Sequence, residues 1–196
     1  MKWLMAFMLA IPAFAAQDPQ EKPRFGEDVI VEDNLKPCLV GKYFYFGKEL
    51  KKFPADVVPS QTPQLKRLDS QVNFESKDGV GFGDLQWKEY FAVIWTGVLR
   101  VPKEGAYTLY LKSDDGSKLF LDGKELIDND GKHRMDEDSK KVDLTSGDHE
   151  LKIEYFQNKD KAGCVLSWKT EGMEKQVVPA SAFWHKFEKD VDREAK

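Results

Sequence analysis

The residues best placed to do chemistry are Asp114 and Asp115, inside the segment Ser113-Asp114-Asp115-Gly116-Ser117. Alternating runs flank it, Tyr107-Thr108-Leu109-Tyr110-Leu111 before and Lys118-Leu119-Phe120-Leu121-Asp122 after. That period of two puts the acids at the tip of a β-hairpin. Neighbouring carboxylates repel, so either water solvates them or a cation offsets them. With oxygens as the available ligands, the expected ion is calcium, which takes about 6–8 of them. Aiming both carboxylates at one ion asks for an unusual backbone, a cis peptide included. The competing account is a polar turn, in which Asp caps the turn and Gly116 supplies a positive φ.

Other acidic and polar clusters read as weaker sites. Asp128-Asn129-Asp130-Gly131, with Glu137 after it, resembles the middle of an EF-hand loop. Its first ligand place would be Leu126, which cannot bind metal, and its flanks are strand-like, so a solvated connection fits better. His133, His149 and His185 lack metal-ligand spacing. G-x-S-x-G, P-loop and H-E-x-x-H patterns do not occur. Adjacent acids on one turn cannot flank a glycosidic bond at the roughly 5–9 Å that its hydrolysis needs. The chain therefore reads as non-catalytic. Trp95 and Trp168 fall at alternating strand positions and read as core, whereas Trp87 sits near loops, where an exposed ring can stack on a sugar although packing is the commoner fate.

The elements that must position the acids begin after an exported start. Lys2 is followed by an apolar run to Ala13-Phe14-Ala15, an A-x-A exit, so residues 1–15 read as a cleaved signal peptide. The run is shorter than the ~20 residues that span a bilayer. The mature chain is expected to be secreted or periplasmic, without membrane insertion. Net charge is −4, and loss of Lys2 makes it −5. Such mild acidity argues against nucleic-acid binding. Residues 16–37 read as a flexible leader, with an extended piece at Val29-Ile30-Val31, and 186–196 as a charged tail, either a frayed helix or disorder. Cys38 and Cys164 would close a loop of about 126 residues if bridged. Otherwise they are two small buried hydrophobes.

Between the flanks the strand pattern dominates. Cys38 to Phe46, Phe91 to Val101, Tyr107 to Leu111, Lys118 to Asp122, Lys124 to Ile127, Val142 to Leu144, His149 to Phe156 and Gly163 to Lys169 all read as strands. Asp122-Gly123 is a hairpin turn signal. Phe53 to Leu85 reads as loops around short strands such as Val72-Asn73-Phe74. No amphipathic helix intervenes, so the class is all-β: one antiparallel β-sandwich or barrel over residues 38–185.

Several of these motifs occur together in a known family. Trp95-Thr96-Gly97-x-Leu99-x-Val101-Pro102, Gly105-x-Tyr107-Thr108-Leu109 and Ser113-Asp114-Asp115-Gly116-Ser117-x-Leu119-Phe120-Leu121-Asp122-Gly123 resemble the protective-antigen (PA-fourteen) domain. Leu144-x-x-Gly147-x-His149-x-Leu151-x-Ile153-x-Tyr155-Phe156, Leu166-x-Trp168 and Leu39-x-Gly41-x-Tyr43-Phe44 extend the likeness to roughly Cys38–Trp184. The resemblance implies a lectin-like domain that binds carbohydrate or glycoprotein. Calcium would be held by Asp114 and Asp115, joined by a cis peptide, and by an amide from a second loop. That amide would be Asn158, with Gln157 as the register-shifted alternative. Gln157, Asn158, Lys159 and Asp160 would carry ligand contacts. It also implies that the first and last strands are close, which favours the Cys38–Cys164 bridge. The loop Asn158-Lys159-Asp160-Lys161-Ala162-Gly163 departs from the adhesin members in being short, lysine-rich and without aromatic residues. The alternative is an extracellular protein-interaction domain with neither metal nor sugar.

Overall fold

The computed structural model describes residues 34–75, 82 and 85–192. The expected signal peptide, most of the leader with Val29-Ile30-Val31, and the end of the tail lie outside the described residues. In chain order the strands are β1 (Leu35–Pro37), β2 (Leu39–Tyr45), β3 (Leu65–Asp69), β4 (Asn73–Glu75), β5 (Phe91–Val101), β6 (Gly105–Asp114) and β7 (Ser117–Leu121). They continue as β8 (Lys124–Asn129), β9 (Asp136–Leu144), β10 (Gly147–Gln157), β11 (Gly163–Thr170), β12 (Met173–Val177) and β13 (Phe183–Lys186), followed by a one-turn helix α1 (Lys189–Asp192).

Two sheets result. The first runs β1-β13-β5-β10-β7-β8, with β2 also on β5 and β3 beside β2. The second runs β12-β11-β6-β9, with β4 on β11. Pairings are antiparallel throughout the described strands. The expected all-β sandwich is the observed fold.

Alternation explains the layering. In β6, Tyr107, Leu109, Leu111 and Ser113 face inward while Thr108, Tyr110 and Lys112 are partly exposed. Trp95 and Trp168 are core, as expected, at 0 % and 3 % exposure. The Trp95 ring packs among Tyr43, Phe74, Phe82 and Tyr155. Strand β5 is buried on both faces because the loop after β2 folds over its outer side. There Leu50, Phe53 and Val58 cover Phe44, Ala92 and Phe156.

Several expectations need correction. Paired structure starts at Leu35, inside the stretch read as leader, because β1 pairs with β13. Beyond Lys186 the charged tail forms the short helix α1, one of the two forms expected of it, in which Val191 is buried and Asp192 lies 3.3 Å from His185 Nε2. The first and last strands are neighbours, yet no disulfide forms and both cysteines are free. The physical reason is that Cys164 is not on the last strand. It sits in β11 of the second sheet, opposite Ser113 and Phe74, whereas Cys38 donates its N–H to Phe183 in the first sheet. Burial pushes both thiols up, so neither is a ready thiolate.

One buried acid belongs to the fold and not to the acidic tip. Asp69 Oδ2 accepts from the Tyr43 hydroxyl and from Trp95 Nε1 at 2.8 Å, and Asp69 Oδ1 pairs with Arg67 Nε at 2.7 Å. Asp69→Ala would leave a buried hydroxyl, indole N–H and guanidinium without their acceptor. The expected loss is about 3 kcal/mol of unfolding free energy, read by denaturant titration.

Candidate functional site

The site begins where the chain changes sheets. Strands β6 and β7 do not form the expected hairpin: β6 pairs with β9 and β11, and β7 with β8 and β10. Asp115 and Gly116 are therefore a two-residue bridge from one layer to the other. Strands β10 and β11 make the same crossing through residues 158–162. Register pins the two bridges side by side, with Asp114 opposite Gly163 in one sheet and Ser117 opposite Tyr155 in the other. This brings Asp115 and Asn158 together.

Hydrogen bonds lock the bridges to each other. The Asp114–Asp115 peptide is cis, as the resemblance implied. The buried Tyr155 hydroxyl donates to Asp114 O at 2.7 Å, and Asp115 N–H donates to Gln157 Oε1 at 3.2 Å. Asn158 N–H donates to Asp115 Oδ2 at 2.7 Å. Gln157, fully buried, donates through Nε2 to the carbonyls of Lys159 and Lys161 at 2.9 and 3.0 Å, so it shapes the second bridge from behind. Asp160 takes a left-handed φ of 66°, turning that bridge back.

Gly116 is required for space and not for a positive φ. A Cβ there would sit 2.6 Å from Gly131 N, 2.6 Å from Phe156 Cε1 and 2.8 Å from Gly131 O. Gly131 lies in the β8–β9 connection, which forms a third wall through Lys132, His133, Arg134 and Met135. The acidic segment before it has a structural use, since Asp130 Oδ1 accepts from Phe53 N–H at 2.9 Å. The three walls enclose a cavity of about 740 Å³. Asp114, Asp115, Asn158, Lys159 and Asp160 all line it, whereas Gln157 does not. The third wall was not anticipated. Its residues are polar and follow Gly131, a pattern shared with any solvated connection.

Electrostatics single out the acid pair. Asp114 and Asp115 are only 7 % and 6 % exposed. Burial, then the charge of Asp115, pushes the Asp114 carboxyl up to about 6, against the opposing effect of the Met135 N–H. Burial also raises Asp115, opposed by the Asn158 N–H and by His133. Two acids so placed are a fit for a hard cation, which would offset the repulsion. The Asn158 amide oxygen already accepts from Leu50 N–H at 3.1 Å, which leaves it one lone pair. Among the described residues no three His, Cys, Asp or Glu side chains group as metal ligands. A bound ion would thus also need main-chain carbonyls or water.

A family model for the PA14 domain matches residues 43–182. The chain belongs to the PA14 domain family. Anti-sigma-I factor RsgI3 of Acetivibrio thermocellus is 30 % identical to it over 122 residues, 62 % of this chain and 19 % of that protein. A solved anti-sigma factor domain-containing protein superposes with a TM-score of 0.65 at 27 % identity, covering 78 % of this chain and 50 % of that one. The PA14 sugar-binding domain from an RTX adhesin superposes with a TM-score of 0.63 at 18 % identity, covering 76 % and 98 %. This PA14 chain spans about a fifth of the length of the curated relative, and the adhesin likeness establishes the sandwich fold. No helix among the described residues is long and apolar enough to cross a membrane.

Two outcomes follow from the geometry. Gly116→Ala is expected to lower the melting temperature by several degrees, since backbone must shift to admit the methyl. The folded Asp114 holds its proton to higher pH than an unfolded aspartate does. In chelator, stability should therefore rise as pH falls from 7 toward about 5, and Asp114→Asn should flatten that rise in melting curves taken across the range.

Proposed function

We propose that this PA14 domain is a secreted, non-catalytic carbohydrate-binding module. Asp114 and Asp115 hold a calcium ion with help from Asn158, and the cavity above them receives a glycan from a cell surface or extracellular polymer. The observation that carries this reading is the pair of buried adjacent carboxylates at the floor of an open cavity. Among the described residues neither forms an ion pair, and the charges of His133 and Lys132 only partly offset the effect of burial. The sugar-binding RTX adhesin domain, built on the same sandwich, supports it. When bound, calcium would supply a site for vicinal sugar hydroxyls as ligands.

A second reading, a protein-interaction domain with no metal or sugar, draws on the use of the Asn158 amide oxygen by Leu50 N–H. It also draws on the names of the anti-sigma relatives. Calcium titration separates the two. Saturating calcium is expected to raise the melting temperature by about 5 °C or more, and chelator to reverse it. Asp115→Ala should abolish both that shift and retention on a glycan array. A melting curve indifferent to calcium would remove the ion and favour the second reading.

A further inference from the structure

The charges around the cavity differ from those of the chain as a whole. The protein has 34 acidic and 30 basic side chains. The cavity wall has Lys132, Arg134, Lys159 and Lys161 against Asp114, Asp115 and Asp160. The two signs are also largely layered: Asp114 and Asp115 are buried at the floor, while all four basic side chains are exposed at the rim with one acid, Asp160. Lys132 is partly spoken for by Glu49, and Lys159 lies over the Tyr90 ring at 5.6 Å. Among the described residues Arg134 and Lys161 have no counter-ion. They stand on different walls, one on the β8–β9 connection and one on the β10–β11 bridge. A divalent ion on the floor would offset Asp114 and Asp115 and leave the four basic side chains facing Asp160 and Glu49, a net positive rim. An uncharged sugar would use none of that field.

We infer that the cavity selects an anionic saccharide, one bearing carboxylate or sulfate, with Arg134 and Lys161 reaching its acidic groups from two different walls. This rests on the carbohydrate-binding reading of the same site. Arg134 offers a planar fork suited to carboxylate or sulfate, and Lys161 a mobile point charge. Both act in water at the rim, so each contributes a modest, salt-sensitive preference and not the bulk of the affinity.

The test is calorimetry on the mature chain in calcium, with trigalacturonate, its methyl ester, galactose 6-sulfate and galactose as probes. Trigalacturonate is expected to bind at least ~5-fold more tightly than its ester, which keeps the shape and removes the charge. If sulfate is the recognised group, the larger preference falls on galactose 6-sulfate over galactose instead. The preference should shrink when sodium chloride is raised from about 50 to 300 mM. Arg134→Gln with Lys161→Gln should reduce the acid-to-neutral ratio toward unity, and Arg134→Lys with Lys161→Arg should retain most of it. Salt dependence of the unmodified protein gives a readout that needs no variant to fold. Equal binding of charged and uncharged probes would overturn the inference while leaving the lectin reading in place. Absence of binding to every saccharide, with melting unaffected by calcium, would remove both.

Discussion

The arrangement of the site depends on one topological constraint: two sheet-to-sheet crossings made by the same two strand pairs. Because β6 pairs with β11 and β7 with β10, the bridges β6–β7 and β10–β11 must pass between the layers next to each other. Backbone polar groups in such crossings have left their ladders and need other partners. The bridges supply them mutually. Asp115 N–H goes to Gln157, Asn158 N–H to Asp115, Phe156 N–H to Gly116 O, and the Tyr155 hydroxyl to Asp114 O. The acidic pair is thus part of the seam that closes one end of the sandwich, and its geometry is set by ladder register many residues away.

That role also explains the electrostatic tension. A carboxylate accepting main-chain N–H bonds is well placed to join two bridges, and Asp115 does so through Asn158 and His133. Burial, and then the charge of the neighbouring acid, push the Asp114 carboxyl up to about 6. Elsewhere the molecule shows the opposite solution. Asp69, equally buried, has Arg67 as a counter-ion and two further donors, and no shared charge to relieve. The contrast is between a fully compensated acid and a pair whose burial and mutual repulsion are only partly offset.

The fold was legible where period-two alternation met a core: β2, β5, β6, β7, β10 and β11 lie where the hydrophobic pattern places them. Strand β9 was mostly missed, because Asp136-Glu137-Asp138-Ser139-Lys140-Lys141 is an exposed, charged edge strand with no apolar alternation to read. Strand β1 was missed because three residues with a terminal Pro carry no period. At the site, the family likeness pointed to Asn158 as a neighbour of the acid pair, which it is, but the form of the turn was not legible. Strands that flank two residues look like a hairpin unless their partners are known, and partners are a non-local property. The same blindness made Gly116 a matter of φ, when the close approach of Gly131 is what excludes a side chain.

The floor and rim of the cavity answer to different pressures. Changing the floor disturbs the seam, since Asp115, Gln157 and Tyr155 share hydrogen bonds with the backbone that closes the sandwich. The rim residues Arg134, Lys159 and Lys161 are exposed and carry no part of the core. Their replacement costs the fold little, so they are free to follow whatever the cavity meets. This division accounts for a sandwich shared with an RTX adhesin domain at 18 % identity. Alternating apolar positions preserve the scaffold, while neither core nor register constrains the solvated side chains at the rim. A shared sandwich therefore dictates nothing about the charge or reach of those side chains.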